Sequence, residues 1–120
     1  MSVVNCKVKF IRPQYKNLKE WMDHENNAYI GRAGVVFIDK QRYPKQSGLF
    51  CNPFKVGKDG TREEVIEKFK QYITERLEKE PLLKEELLKL KGCQLGCWCH
   101  PEPCHGNVLL DLINIYSEST

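Results

Sequence analysis

Potential metal ligands and nucleophiles are concentrated in one short segment near the end of the chain. The segment GCWCHPEPCHG, residues 96–106, contains three of the six cysteines and two of the three histidines. Thiolate and imidazole groups bind zinc, and a thiol beside an imidazole is a frequent nucleophile–base pair. The segment therefore allows three interpretations: a zinc site, a group of small buried side chains, or a thiol positioned for chemistry.

The zinc interpretation requires four side chains to converge on one ion. The ligands would be Cys97, Cys99, Cys104 and His105. Paired cysteines in zinc sites are usually separated by at least two residues, which is not the spacing here. Adjacent side chains on a helix point about 100° apart, so Cys104 and His105 would share an ion only with a distorted backbone. Cys51 or Cys93 could replace one ligand, and zinc therefore stays an alternative.

Some of the cysteines are expected to be ordinary core residues. Buried cysteine behaves as a small hydrophobic side chain, and we expect this of Cys6, Cys93 and Cys97. A histidine next to a cysteine after a proline-rich break is not typical of an apolar core. The core interpretation therefore does not extend to Cys104 and His105.

The pattern around the cluster predicts a strand, a tight loop and a helix. Residues 94–99 are apolar enough for a buried strand, and a broad apolar helical face follows from Cys104 to about Ser117. A thiol in the first turn of a helix meets the positive end of the helix dipole, which favours the thiolate and attracts anions. Histidine exchanges protons near neutral pH. Cys104 is therefore the candidate nucleophile, and His105 the candidate acid or base.

The rest of the chain alternates between strand and helix patterns. Strands are predicted at 3–11, at both ends of 28–38 and at 94–99; helices are predicted at 17–25 after an Asn17 cap, after the Thr61–Glu64 capping box, from Pro81 to Gly92, and at 104–117. Residues 39–60 are predicted to form a long loop. This order predicts one α/β domain, residues 1–120, that is Rossmann-like, with a mainly parallel sheet and flanking helices.

Two further residues are candidates because open parallel sheets bind ligands beyond the carboxyl ends of their strands. Arg32 follows a predicted strand and a glycine, so its guanidinium could hold a phosphate or carboxylate, although a surface ion pair is the alternative. Asn52 precedes Pro53 and either caps the loop with its own side chain or contacts a ligand. Phe50 and Phe54 are expected to anchor the loop, and residues 55–60 to form a solvated turn.

Three motifs connect the sequence to a known family. They are YIGR at 29–32, NPF at 52–54 and LKGCQLGCWCHPEPCHGNVLLDL at 90–112. The chain resembles the domain of unknown function 4326, a small intracellular family of bacteria, phages, large DNA viruses and some eukaryotes. The resemblance implies that Gly31, Cys99 and Gly106 belong with Arg32 and Asn52 among the ligand-binding candidates. It implies no mechanism, because the family has no established activity.

Composition limits the classes of partner. The 120 residues carry a net charge of +3 without strong clustering, which makes nucleic acid an improbable partner. No apolar run approaches the roughly 18 residues of a membrane span, and no secretory signal is visible. Six cysteines in such a chain indicate reduced thiols and an intracellular location. The sequence does not predict an oligomeric state.

Two functional hypotheses follow. The first is a strand-end cleft for a nucleotide or other phosphorylated metabolite, with hydrolysis or group transfer at Cys104 and His105 if the chain is an enzyme. The second is a zinc-stabilised, non-catalytic binding or adaptor module built on the cysteine–histidine cluster.

Overall fold

The computed structural model describes residues 2–98 and 102–118. The strands are β1 (Ser2–Asn5), β2 (Asn27–Tyr29), β3 (Val36–Ile38), β4 (Gln41–Tyr43) and β5 (Gln94–Cys97); the helices are α1 (Val8–Ile11), α2 (Leu18–Asp23), α3 (Arg62–Lys79), α4 (Pro81–Leu88) and α5 (His105–Glu118). The predicted α/β class is therefore confirmed.

The centre of the molecule is a three-stranded parallel sheet in the order β1–β5–β2. Asn5 pairs with Cys97, and Tyr29 pairs with Gly96, so the three strands end within one residue of each other. Their carboxyl ends form a single edge, as the predicted parallel sheet with flanking helices requires.

The two faces of this sheet pack against different groups of helices. Successive strand residues point to opposite faces. Val3 and Leu95 pack into a cluster with the buried faces of α3, α4 and α5, whereas Val4 packs against the second cluster, around Trp21 of α2. The long helices thus cover one face, and the short N-terminal helices cover the other.

The helix starts follow local sequence signals. Thr61 Oγ1 accepts a hydrogen bond from the Glu64 amide at 3.2 Å, and Glu64 Oε1 accepts one from the Thr61 amide at 3.0 Å, which confirms the predicted capping box. Asn17 caps α2 through the Glu20 amide. Pro81 stands at the start of α4. Among the described residues, no helix combines the length and the apolar character needed to cross a bilayer.

The predicted strand at 3–11 is wrong beyond Asn5. The Asn5 side chain accepts a hydrogen bond from the Lys7 amide at 2.9 Å and donates one to the Trp98 carbonyl at 3.3 Å. These bonds turn the chain out of the sheet, and Val8–Ile11 forms α1. Cys6 and Phe10 are four residues apart, a spacing that helices and alternating strands both allow.

The predicted loop at 39–60 contains a strand that the sequence analysis missed. β3 pairs with β4 in an antiparallel hairpin outside the parallel sheet. The hairpin turns at Asp39 (φ 52°) and Lys40 (φ 67°), both in the left-handed region that two-residue type I′ turns require. The sequence Gln41–Tyr43 has no apolar alternation, so it gave no strand signal.

Candidate functional site

A cleft of about 410 Å³ lies at the carboxyl edge of the parallel sheet. It is bounded by the residues after β2 and β5, the first turns of α3 and α5, and the loop around residues 52–56. Six of the predicted site residues line it: Gly31, Arg32, Asn52, Cys97, Cys104 and His105. Cys99 lies outside the described residues, and Gly106 is not part of the lining.

Cys104 caps the amino end of α5 with its sulfur. Its Sγ accepts a hydrogen bond from the Gly106 amide at 3.2 Å, and its own amide donates to Asn107 Oδ1 at 3.1 Å. This reciprocal pair resembles a capping box, with sulfur in place of the usual oxygen. The Gly106 amide thus donates to the Cys104 sulfur and is not open to a bound anion.

The ring of His105 is oriented by a main-chain carbonyl. Its Nε2 lies 2.9 Å from the Ile30 oxygen, which can only accept, so Nε2 carries a hydrogen. In the neutral ring Nδ1 is then an acceptor, and it lies 3.7 Å from Cys104 Sγ. Phe69 packs edge-on against the ring, with centroids 5.0 Å apart. A thiol, a base and a group that orients the base therefore follow one another in space.

The two adjacent residues converge because only one of them is helical. The expected divergence of about 100° applies to neighbours on the same helix. Cys104 precedes α5, whereas His105 is its first residue. Both residues are buried, with 2% and 8% of their surface exposed, and both line the cleft.

Zinc binding by both Cys97 and Cys104 would require their sulfur atoms to move apart. Their Sγ atoms lie 3.0 Å apart. Two thiolates on one tetrahedral zinc, each about 2.3 Å from the metal, would be about 3.8 Å apart. Within residues 2–98 and 102–118, no three His, Cys, Asp or Glu side chains are grouped to hold a metal. The predicted zinc set includes Cys99, so it stays a prediction.

Arg32 holds the loop that closes the cleft. Its Nη2 donates to the carbonyl oxygens of Asn52, at 2.9 Å, and Phe54, at 3.0 Å. The alternative of a surface ion pair is therefore not what the structure shows. Arg32 also lines the cleft, and these two bonds use only Nη2 of a guanidinium that carries five N–H donors.

Asn52 caps this loop through its side chain. Its Oδ1 accepts from the Phe54 amide at 2.9 Å, and its Nδ2 donates to the Val65 carbonyl at 3.3 Å. Phe54 packs edge-on against Tyr72, and Phe50 is buried. The capping alternative for Asn52 therefore holds, and the loop is fixed to α3 at the wall of the cleft.

The comparisons with known proteins give the family but no chemistry. Residues 13–115 match the family described as domain of unknown function (DUF4326). The chain belongs to this family. Over 60 residues the DUF4326 chain is 43% identical to the "Uncharacterized 12.4 kDa protein in nrdA-td intergenic region" of Enterobacteria phage T4. That match covers 49% of the chain and 56% of the phage protein, so it spans little more than half of this relative. No solved structure matches.

Two glycines of the DUF4326 motifs allow close packing. A Cβ on Gly106 would lie 2.8 Å from Val3 Cγ2 and 2.9 Å from Ile30 Cδ1, so glycine lets α5 approach the sheet. A Cβ on Gly31 would lie 2.5 Å from Tyr29 Oη. These contacts give both residues a packing role, in addition to the place of Gly31 in the cleft wall.

Two cationic residues of the DUF4326 site were missed. Lys55 and Arg62 line the cleft together with Arg32, and Arg62 Nη1 donates to the Pro103 carbonyl at 3.4 Å. None of the fifteen lining residues is acidic. Arg62 is the first residue of α3. The Thr61–Glu64 capping box marks this helix start, so it was the sequence signal that could have identified Arg62. Lys55 was assigned to a solvated turn.

A chain of polar groups joins the ends of β2 and β5. Trp98 Nε1 donates to Tyr29 Oη at 2.8 Å, and Tyr29 Oη donates to the Arg32 carbonyl at 2.8 Å. Burial raises the pKa of Tyr29 from 10.0 to about 12, against the opposing effect of the Trp98 hydrogen bond. Tyr29 therefore keeps its proton at neutral pH and stays a donor to Arg32.

The cysteines differ in their surroundings. Cys6 and Cys97 are buried core residues as predicted, whereas Cys93 is only half-buried, which corrects the expectation for that residue. Burial, with a smaller effect of the nearby Cys97 thiol, raises the pKa of Cys6 from 9.0 to about 12. Cys6 therefore has the properties of an inert core thiol.

Proposed function

We propose that the strand-end cleft binds a nucleotide or another phosphorylated metabolite. The observation that carries the proposal is the charge of the lining: Arg32, Lys55 and Arg62 face one space, and no lining residue is acidic. Arginine and lysine are the side chains that hold phosphate groups, and their effect is stronger in a concave site than on an open surface. An anion is therefore the ligand that this cleft favours.

The rest of the lining suits the apolar part of such a ligand. Val35, Phe54, Val56, Ile66 and Trp98 contribute apolar or aromatic surface. Ligand pockets of a few hundred Å³ typically combine apolar walls with a few polar groups that fix the orientation. A nucleotide has both parts, because its base is flat and apolar on its faces while its phosphate is charged.

The proposed reaction is hydrolysis or group transfer at Cys104. His105 takes the thiol proton through Nδ1, and the sulfur attacks an electrophilic carbon or phosphorus of the bound ligand. The leaving group takes that proton from His105 as its bond to the ligand breaks. Water, or a second acceptor, then displaces the ligand fragment from the sulfur and restores the thiol.

The proposal also includes the fold type and the cellular location of the protein. We propose that the three parallel strands form a reduced Rossmann-like sheet. The position of the cleft supports this, because such sheets bind ligands beyond the carboxyl ends of their strands. No disulfide joins any two of the five described cysteines. Reduced cysteines agree with an intracellular protein.

Calorimetric titration tests the binding. We expect AMP or GMP to bind more tightly than inorganic phosphate, because only the nucleotides also fill the apolar walls. Arg62→Ala and Lys55→Ala should each weaken binding about tenfold, equivalent to one lost charge-assisted contact of about 1.4 kcal/mol. The control is Lys70→Ala, which removes an exposed charge from the same helix as Arg62.

Removing the reactive pair gives a second comparison. Cys104→Ala and His105→Ala variants are expected to bind the same nucleotides less well, because both side chains line the cleft. Unchanged binding and unchanged stability in both of them, or equal losses in the Arg62 and Lys70 variants, would remove this function.

A further inference from the structure

We propose that Cys97 and Cys104 are an oxidative modification site, which a hydroperoxide converts to a reversible disulfide within the cleft. The two Sγ atoms lie 3.0 Å apart, and both residues line the cleft. A disulfide bond is about 2.05 Å long, so the sulfur atoms need to approach by only about 1 Å. Cys97 is the last residue of β5, and Cys104, seven residues later, immediately precedes α5.

The surroundings make Cys104 the sulfur that is oxidised first. The Gly106 amide donates to Cys104 Sγ, and His105 Nδ1, which can accept the thiol proton, lies 3.7 Å from the same sulfur. Cys97 lies next to it as the resolving thiol. Cys6, whose pKa is raised to about 12, keeps its proton and does not compete.

The proposed oxidation balances with hydrogen peroxide as the oxidant. The Cys104 thiolate attacks one peroxide oxygen, the O–O bond breaks, and Cys104 becomes a sulfenic acid while hydroxide leaves and is protonated to water. The Cys97 sulfur then attacks the Cys104 sulfur; the S–S bond forms, the S–O bond breaks, and a second water leaves. Two thiols and one peroxide thus give one disulfide and two waters, and a dithiol reductant restores both thiols.

The disulfide would switch off the site. It removes the Cys104 thiolate and links β5 to the first turn of α5 across the cleft. This regulatory consequence rests on the proposed function, because it takes Cys104 as the nucleophile. The modification itself does not, since it can be measured without any ligand.

Mass spectrometry of the peroxide-treated chain tests the pairing. The intact protein should lose the mass of two hydrogens, and dithiothreitol should restore them. After alkylation of the remaining thiols, chymotrypsin cleavage after Leu95 and Trp98 separates Cys97 from Cys93 and from the segment that contains Cys99 and Cys104. The linked peptides should then join Cys97 to that segment, and fragmentation should place the bond at Cys104, with the alkyl group on Cys99.

Two variants complete the experiment. Cys97→Ser should lose the disulfide and accumulate sulfinic acid at Cys104, whereas Cys93→Ser, with a half-buried cysteine replaced, should retain the disulfide. A bond from Cys104 to Cys99, sulfinic acid at Cys104 of the unmodified sequence, or thiols that stay reduced would each overturn the proposal. Failure of nucleotide binding would leave this result unaffected, so the two proposals can fail separately.

Discussion

His105 Nε2 lies 2.9 Å from the carbonyl oxygen of Ile30, the residue that immediately follows β2. The bond spans 75 residues of sequence and links the first turn of α5 to the end of the neighbouring strand. It also settles which ring nitrogen carries the hydrogen, and so leaves Nδ1 facing the Cys104 thiol at 3.7 Å. The reactivity of the thiol should therefore depend on this ring.

Replacement of His105 by glutamine tests that dependence. The amide of His105→Gln can still donate to Ile30, but it cannot take the thiol proton. We expect alkylation of Cys104 by iodoacetamide at pH 7 to slow at least about tenfold, with little change in stability. The rate is read from the chymotryptic peptide that begins at Cys99, in which fragmentation distinguishes Cys104 from Cys99, and His24→Gln, at an exposed histidine, is the control. Equal rates in both variants would show that His105 does not activate the thiol.

Arg32 is predicted to stabilise the fold independently of any ligand. Arg32→Ala removes two hydrogen bonds to the carbonyls of Asn52 and Phe54, and we expect a loss of about 1–3 kcal/mol in the free energy of unfolding. Urea titration measures this loss. Arg12→Ala, which removes an exposed arginine bonded to one carbonyl, should cost less than about 0.5 kcal/mol. Similar losses in the two variants would contradict the stabilising role of the two Arg32 hydrogen bonds.

The hydrogen bond between Trp98 and Tyr29 should appear as a coupling between the two side chains. Trp98→Phe and Tyr29→Phe are each expected to lower the free energy of unfolding by about 1 kcal/mol. The double variant should lose less than the sum, by about 0.5–1 kcal/mol, because the bond can be broken only once. Additive losses in urea unfolding would mean that the bond contributes nothing.

Stability should fall at alkaline pH because of Cys6. The pKa of Cys6 is raised from 9.0 to about 12 in the folded chain, so above pH 9 the unfolded chain releases a proton that the folded chain keeps. The contribution is fully present below pH 9 and disappears as the pH rises to 12, with a slope of about 1.4 kcal/mol per pH unit.

Urea unfolding at several pH values between 8 and 11 would measure that slope. Cys6→Ala should give a shallower decline than the unmodified chain, although its stability is lower at every pH because it leaves a cavity. Cys93→Ala should retain the full slope. A decline that Cys6→Ala leaves unchanged would have another origin, such as Tyr29.

Elemental analysis separates the reactive site from the zinc module. Because no three potential ligands are grouped to hold a metal among residues 2–98 and 102–118, we expect substoichiometric zinc in the purified chain and no unfolding on treatment with a chelator. One zinc per chain, lost together with the fold, would favour the zinc-stabilised binding or adaptor module. It would also indicate that Cys99 is one of the zinc ligands.

The features that the sequence predicts well are local ones. The α3 start depends on Thr61 and Glu64, three residues apart, and its buried face depends on spacings of three and four residues. The end of β1 depends instead on a hydrogen bond from Asn5 to Trp98, 93 residues away, which no local pattern contains. β4 is polar and exposed, so its pairing with β3 produces no apolar alternation.

In the candidate site, too, local features were predictable from the sequence and long-range contacts were not. The sequence predicted that Arg32, Asn52, Cys104 and His105 lie together, and in the structure all four line one cleft. The partners of these side chains were not predictable, because the Phe54 carbonyl is 22 residues from Arg32 and the Ile30 carbonyl is 75 residues from His105. Lys55 and Arg62 were missed because a charge near a turn or a helix start is usually explained by solvent exposure.

The sulfur cap of α5 offers a way to capture whatever the cleft recognises. Serine is among the best residues at the position before a helix, so Cys104→Ser should preserve the cap while exchanging a strong nucleophile for a weak one. Such a chain would stall before the proposed chemical step. Immobilised on a resin and incubated with a cell extract, it would retain the proposed ligand for identification.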